Sequence, residues 1–173
     1  DQVIGESTDD IFSFLAVVKD DPSIQIVSDA QKAYVEDAIV GTELDGLPVL
    51  SAAAPFKACD RKGVCAEESS FTVVPAGELK VKNIADLYLY NNRLMAVKVT
   101  GAELEQWLEC SASQFFQITD TADRQELVDF TGFPTYNFDV IDGVTYQIDV
   151  TEPARYNGDC VKVSDGTRIV DLQ

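Results

Sequence analysis

Two short clusters place aromatic rings beside carboxylates and amides at spacings that suit recognition of a flat heterocycle. In Thr135-Tyr136-Asn137-Phe138-Asp139-Val140-Ile141-Asp142-Gly143, a phenol ring and a carboxylate stand six positions apart around an expected turn. In Tyr88-Leu89-Tyr90-Asn91-Asn92-Arg93, a second ring is followed two positions later by an amide. The chemistry these types offer is stacking plus edge readout. A base on an aromatic platform gains about 1–3 kcal/mol, and an Asp or Asn fixes its edge through hydrogen bonds. Two rings far apart in the chain could close on a base from opposite sides. The plainer alternative is that Tyr90 and Tyr136 are half-buried strand residues, since tyrosine is common in strands. For Asp142 the plainer alternative is turn chemistry, because Asp-Gly is a common hairpin signal.

Other chemistry is bounded by what the chain lacks. It has no histidine in 173 residues, whereas binuclear phosphoesterases, zinc hydrolases and catalytic triads nearly all use imidazole. No catalytic residue is therefore expected here. Asp139 and Asp142 could join a carboxylate-only magnesium site, but no further ligands cluster with them, and no metal site is expected. The net charge of −17 argues against a nucleic-acid polymer as partner, since binding one requires Lys and Arg against many phosphates. A mononucleotide needs only a local cation, and the acidity itself is explained by solubility.

Four long motifs resemble a known family. They are Asp86 to Leu94, the run from Tyr136 to Asp149 (YNFDVIDGVTYQID), Leu47 to Ala58 (LPVLSAAAPFKA) and Thr100 to Cys110 (TGAELEQWLEC). Together they are similar, in order and over most of the chain, to the C-terminal nucleotide-binding domain of the bifunctional 2',3'-cyclic-nucleotide 2'-phosphodiesterase/3'-nucleotidases, within the wider 5'-nucleotidase family. The resemblance implies an α+β fold, with mixed sheets layered with helices. It implies that two aromatics sandwich the base, falling on Tyr90 and Tyr136, with the amide on Asn92 and the acid on Asp142. It also implies a phosphate-facing Arg in a Gly-rich loop. Arg61, between Lys57 and Lys62, is the residue in that place, and its planar fork suits phosphate. Here the loop carries Cys59 and Asp60 where the family has glycines, a departure from its pattern. The implied partners are a nucleoside or mononucleotide and an N-terminal metallophosphoesterase domain of the same chain. That domain would hold two divalent metals and perform the hydrolysis, while the present segment alone would be inactive. A nucleotide-binding module without a catalyst, and a secreted structural domain, stand as alternatives.

Four cysteines without histidine partners read as two disulfides, Cys59 with Cys65 and Cys110 with Cys160. Disulfides imply an oxidising compartment, periplasmic or secreted. No run of 18 apolar residues marks a membrane span. One domain is expected over 1–173, starting inside a longer precursor and truncated at its C-terminal end.

The elements that must position these residues show local signals. Val3-Ile4-Gly5 reads as a strand, and Thr8-Asp9-Asp10 as the cap of a helix through Val18. Ile24 and Ile26 alternate as a strand does, leading to a helix through Ile39 closed by Gly41. Leu47 to Ala54 reads as a buried strand, Phe71 to Val74 as another, and Ile84 to Tyr90 as a strand or a helix–strand junction. Met95 to Val99 alternates like a half-buried strand. Thr100 with Glu103 forms a capping box for a helix whose Leu104, Trp107 and Leu108 share one face, with Trp107 expected as a core anchor. Val144 to Val150 is expected to hairpin back through Asp142-Gly143, and Val161 to Gln173 to hold strand-like segments around Asp165-Gly166.

Overall fold

The computed structural model describes residues 2–59, 65, 67–88, 90–119 and 124–173. It has the expected α+β character, with helices and small antiparallel sheets. The strands are β1 (Val3–Ser7), β2 (Ile11–Phe12), β3 (Ser51–Ala53), β4 (Val73–Val74), β5 (Gly77–Lys80), β6 (Val140–Asp142), β7 (Gln147–Ile148) and β8 (Ile169–Val170). They pair two by two as β1 with β5, β2 with β4, β3 with β6 and β7 with β8. The helices are α1 (Pro22–Ile39), α2 (Val81–Leu87) and α3 (Gly101–Ser111). None of the described helices is long and apolar enough to cross a membrane.

Helix α1 corrects the expected strand at Ile24 and Ile26. Asp21 caps it by accepting from the Ser23 backbone N–H at 3.0 Å and from Ser23 Oγ at 2.6 Å, and Pro22 takes the first turn, where its missing N–H costs nothing. Once the helix starts there, Ile24, Val27 and Ser28 share one face toward the core, while Ile26 packs into a different cluster. The two isoleucines that look alternate are therefore three-dimensionally helical. The helix expected from Thr8 to Val18 is also absent. Ile11–Phe12 pairs with Val73–Val74 instead, and Ser13 fixes the following turns by donating to the Lys57 carbonyl and accepting from the Thr72 N–H at 2.9 Å. Residues 84–87 are helical and Tyr88 caps them in an extended conformation, so the start of the expected junction is helix.

Two further strand readings change. The segment 94–99 makes no ladder among the described residues, and Met95 is 79% exposed and Val97 66%. The hairpin through Asp142-Gly143 does not form; β6 pairs instead with β3 in the register Ser51↔Asp142, Ala52↔Ile141, Ala53↔Val140. A type I′ hairpin needs positive φ at both central residues; Gly143 has φ 101°, but Asp142 is not among the residues of positive φ. A Cβ at Gly143 would lie 2.6 Å from Leu50 Cδ2, so that side chain would have to shift, and the positive φ disfavours any other residue there. The strand at 147–148 pairs with β8, and the Thr145 and Gln173 backbones exchange hydrogen bonds beside it at 3.0 and 2.9 Å.

Helix α3 forms as its cap dictates. The Thr100 N–H donates to Glu103 Oε2 at 2.7 Å while Thr100 Oγ1 accepts from the Glu103 N–H at 3.3 Å. Thr100→Ala removes half of this reciprocal pair and is expected to cost about 1 kcal/mol. A urea titration should show a lower midpoint at unchanged slope. The other end of α3 is tied down twice. The Cys110–Cys160 disulfide joins it to the loop 156–160, with Cα atoms 5.4 Å apart. Buried Glu109 accepts from the Arg168 and Ile169 N–H groups at 3.2 and 3.0 Å. The second disulfide, Cys59–Cys65, closes a six-residue separation at a Cα distance of 4.7 Å.

Candidate functional site

Tyr136 sits in a single 3-10 turn, Thr135–Asn137, rather than in a strand. Pro134 starts that turn with a fixed φ of −63°, and the buried Phe133 and Phe138 hold it on either side. The ring between them is left 42% exposed. It lines a cleft of about 670 Å³, within the size range of small-molecule sites. The other walls are α3, through Glu103, Gln106, Trp107 and Ser111, and the loop that carries Tyr156 and Asp159. The loop holds its place through the Cys110–Cys160 disulfide and through the Tyr156 hydroxyl, which donates to Gln106 Oε1.

Asp139 also faces this cleft. The Trp107 indole N–H donates to Asp139 Oδ2 at 2.8 Å. Burial pushes the Asp139 carboxyl above the usual carboxylate value, and the Trp107 bond only partly opposes that. Trp107 packs against the cluster of Leu104, Leu108 and Ile141 as the anchor reading required, yet its polar edge serves the cleft. Sequence reasoning had no signal for this pair: the two residues are 32 positions apart and nothing periodic links them.

Asp142 lies on another wall. It lines a separate, larger cavity with Gln25 and Ser28 of α1 and with Tyr146. Lys32 Nζ donates to Asp142 Oδ2 at 2.8 Å, and the neighbouring Ser51 Oγ donates to Gln31 Oε1 at 2.8 Å, fixing α1 across the β3–β6 ladder. The Lys32 bond holds the Asp142 carboxyl below its usual value, and the same bond holds the Lys32 ammonium above its own. A depressed carboxyl stabilises the fold above the ordinary Asp value, and that share is lost as pH falls through its lowered pKa, that is, below about pH 4. Lys32→Met should therefore move the Asp142 titration, followed by carboxyl NMR shifts, back up toward the ordinary value. An unmoved midpoint would show that Lys32 does not set it.

Tyr90 is 40% exposed and packs edge-on against Phe56, ring centroids 5.7 Å apart, with Tyr88 against the same ring at 4.9 Å. Asn92 is exposed and donates from Nδ2 to the Tyr88 hydroxyl at 3.2 Å. Neither residue lines the Tyr136 cleft or the Asp142 cavity. The structure thus divides the sequence-derived set: Tyr136 lines one cavity, Asp142 the other, and Tyr90 with Asn92 forms a third, aromatic surface. Arg61 and Lys62 lie outside the described residues. Lys57 is engaged with Asp86. Among the described residues, no group of three or more His, Cys, Asp or Glu comes together as a metal site.

Comparison with known proteins bears on this arrangement. The chain is 52% identical over 99% of its length to a 2',3'-cyclic-nucleotide 2'-phosphodiesterase/3'-nucleotidase of Haemophilus influenzae, and it covers 26% of that protein. It is 55% identical over 93% of its length to the protein of the same name from Salmonella typhimurium, of which it covers 25%. It is 51% identical over 98% of its length to a trifunctional nucleotide phosphoesterase of Bacillus subtilis, covering 11% of it. The chain therefore spans about a quarter or less of the length of these relatives. No solved structure matches it. The family model for the 5'-nucleotidase C-terminal domain matches residues 3–173, so this chain, with its tyrosine-lined cleft, belongs to the 5'-nucleotidase C-terminal domain family.

Proposed function

We propose that this chain is the nucleoside-binding domain of a phosphoesterase acting on 2',3'-cyclic nucleotides and 3'-nucleotides, working in the periplasm or another oxidising compartment. The observation that carries the reading is Tyr136: a half-exposed phenol presented by a rigid turn at a cleft of ligand size. The names of the relatives supply the substrate class. In this reading Tyr136 stacks on the base at its cleft; the family resemblance adds Tyr90 as a second ring, Asn92 and Asp142 at the edge and sugar, and Arg61 at the phosphate, although Tyr90, Asn92 and Asp142 face surfaces other than the Tyr136 cleft. A carboxylate has about four lone-pair sites, and on Asp142 the Lys32 ammonium, the Gln25 side chain and the Gly143 N–H already draw on them.

Hydrolysis belongs to an N-terminal metallophosphoesterase domain with two divalent metals. In this reading the residues of the present chain neither transfer a proton nor hold a metal. Its contribution is positional: holding the nucleoside turns the attack on the phosphoester into an effectively unimolecular step. The two disulfides suit the oxidising compartment. The test is calorimetric titration of the protein at its natural length with adenosine and 3'-AMP. Saturable binding of both, weakened by Tyr136→Ala, is the expected result; no heat with either ligand would end the reading.

A further inference from the structure

The loop 156–160 carries Asn157-Gly158, and no other asparagine of the chain precedes a glycine. Asn157 is exposed. Its side-chain Oδ1 accepts from two backbone N–H groups, those of Asp159 and Val161, both at 3.0 Å. Its main-chain carbonyl accepts from the Cys160 N–H at 3.0 Å, and its own N–H donates to the Val161 carbonyl at 3.0 Å. Asparagine at such a turn is common, because its side chain can bond backbone groups two residues on. The next residue is less usual. Among the described residues, no acceptor meets the Gly158 N–H. Packing also requires glycine at this position, since a Cβ there would lie 2.3 Å from the Gly132 carbonyl oxygen, a backbone atom.

These groups are the parts of an intramolecular acyl transfer. The backbone nitrogen that follows an asparagine can attack the side-chain amide carbon, and a glycine leaves that nitrogen unshielded. Two donors on Oδ1 draw charge from Cγ and are placed for the oxyanion that forms on attack, as paired N–H groups are in an oxyanion hole. The attacking N–H has no hydrogen bond to break. We propose that Asn157-Gly158 is a self-modification site, at which the side-chain amide is lost as ammonia and the 156–160 loop is rebuilt. Gly158 N gives its proton to solvent base and bonds to Asn157 Cγ; the Cγ–Nδ2 bond breaks, and Nδ2 takes a proton and leaves as ammonia. A succinimide ring remains, and water opens it. Cleavage between nitrogen and Cγ gives aspartate, whereas cleavage between nitrogen and the main-chain carbonyl carbon gives isoaspartate; the proton returns to nitrogen in both. In isoaspartate the chain runs through Cβ and Cγ, and the former main-chain carbonyl becomes a side carboxylate. The Asp159, Cys160 and Val161 N–H groups then lose the acceptor arrangement that holds the turn. Cys160, at φ 55°, stays tethered to α3 by its disulfide with Cys110. The change is thereby confined to the loop that brings Tyr156 and Asp159 to the cleft. The reaction consumes only water and is independent of what the cleft binds.

Incubating the protein at its natural length at mildly alkaline pH, followed by tryptic mapping, tests this. Arg155 and Lys162 bracket the peptide 156–162. Conversion should raise the mass of that peptide by about one unit as the amide becomes an acid, and the isoaspartate form should elute apart from the aspartate form. The folded protein should convert at least as fast as the same chain unfolded in guanidinium, where the two donors on Oδ1 are gone. Asn157→Asp keeps an acceptor for both N–H groups and has no ammonia to lose, so its peptide should gain no mass. In the isoaspartate fraction, the Asp159 and Val161 amides should exchange hydrogen about fivefold faster than before, the worth of one net hydrogen bond. Slower conversion in the folded than in the unfolded protein overturns the proposal, because the turn then protects its asparagine. Conversion with unchanged exchange at Asp159 and Val161 overturns the rebuilding of the loop.

Discussion

Replacing Tyr90 and Tyr136 together by alanine is expected to weaken adenosine binding by about 2–6 kcal/mol, because each ring of the sandwich contributes about 1–3 kcal/mol of stacking. That corresponds to a loss of roughly 30- to 20,000-fold. Each single variant should show about half of the free-energy loss. Stability should hardly change, since 40% of Tyr90 and 42% of Tyr136 is already exposed and neither fills the core. Phenylalanine at either position keeps the platform and should restore most of the affinity. Calorimetry gives the affinities and thermal unfolding gives the control. If the double variant binds as the wild type does, the rings are surface residues of the fold and nothing more.

The largest effect on folding is expected from Glu109→Ala. Glu109 is 0% exposed and accepts from two consecutive backbone N–H groups, those of Arg168 and Ile169. Arg155 Nη2 approaches the same carboxylate at 3.7 Å. Arg168, 1% exposed, donates from Nη1 to the Ala112 and Phe115 carbonyls at 2.9 and 2.7 Å and from Nε to the Glu152 carbonyl at 2.9 Å. Removing Glu109 leaves two buried donors unpaired, takes the carboxylate from Arg155, and leaves the Arg168 guanidinium with Asp149 as the remaining carboxylate whose charge it feels. Breaking such a group on one side costs about 3–5 kcal/mol. Against a total of about 5–15 kcal/mol this is a large fraction of stability. Urea unfolding should show it directly, and Glu109→Gln, which keeps an acceptor oxygen, should lose less. A change under 1 kcal/mol would mean that water reaches these groups and that the network is not what ties β8 to α3.

The two predictions separate the layers of the molecule. The tyrosines act on ligand with little effect on the fold. The Glu109–Arg168 network acts on the fold and, by holding the C-terminal turn of α3, on the position of Ser111 and Cys110 in the cleft wall. A loss of nucleoside affinity in Glu109→Ala beyond the loss of folded protein would show that this support reaches the site.

Several features were legible in the residue order. The capping box at Thr100 specified α3, since both of its partners lie within one turn. The even cysteine count without histidine led to the pairs that the structure joins. The mixed α and β class followed from patterns that change period along the chain. The errors arose where a short apolar alternation fits both periods. Ile24 and Ile26 read as a strand until Asp21 and Pro22 are given their weight as helix starters. Met95 to Val99 alternates as a strand does, yet alternation cannot state whether a partner strand is within reach.

By itself, the sequence determined what neighbours within a turn can decide: where helices start, which residue types can stack or accept, and that the chain carries no imidazole. Only the tertiary structure decided which walls those residues share. Lys32 meets Asp142 across 110 positions, Glu109 meets Arg168 across 59, and Trp107 meets Asp139 across 32. The reason is physical. Turn and cap geometries are fixed by bonds between near neighbours and leave a local pattern, whereas contacts across the core are selected by shape, burial and polar satisfaction, which mark neither partner in advance.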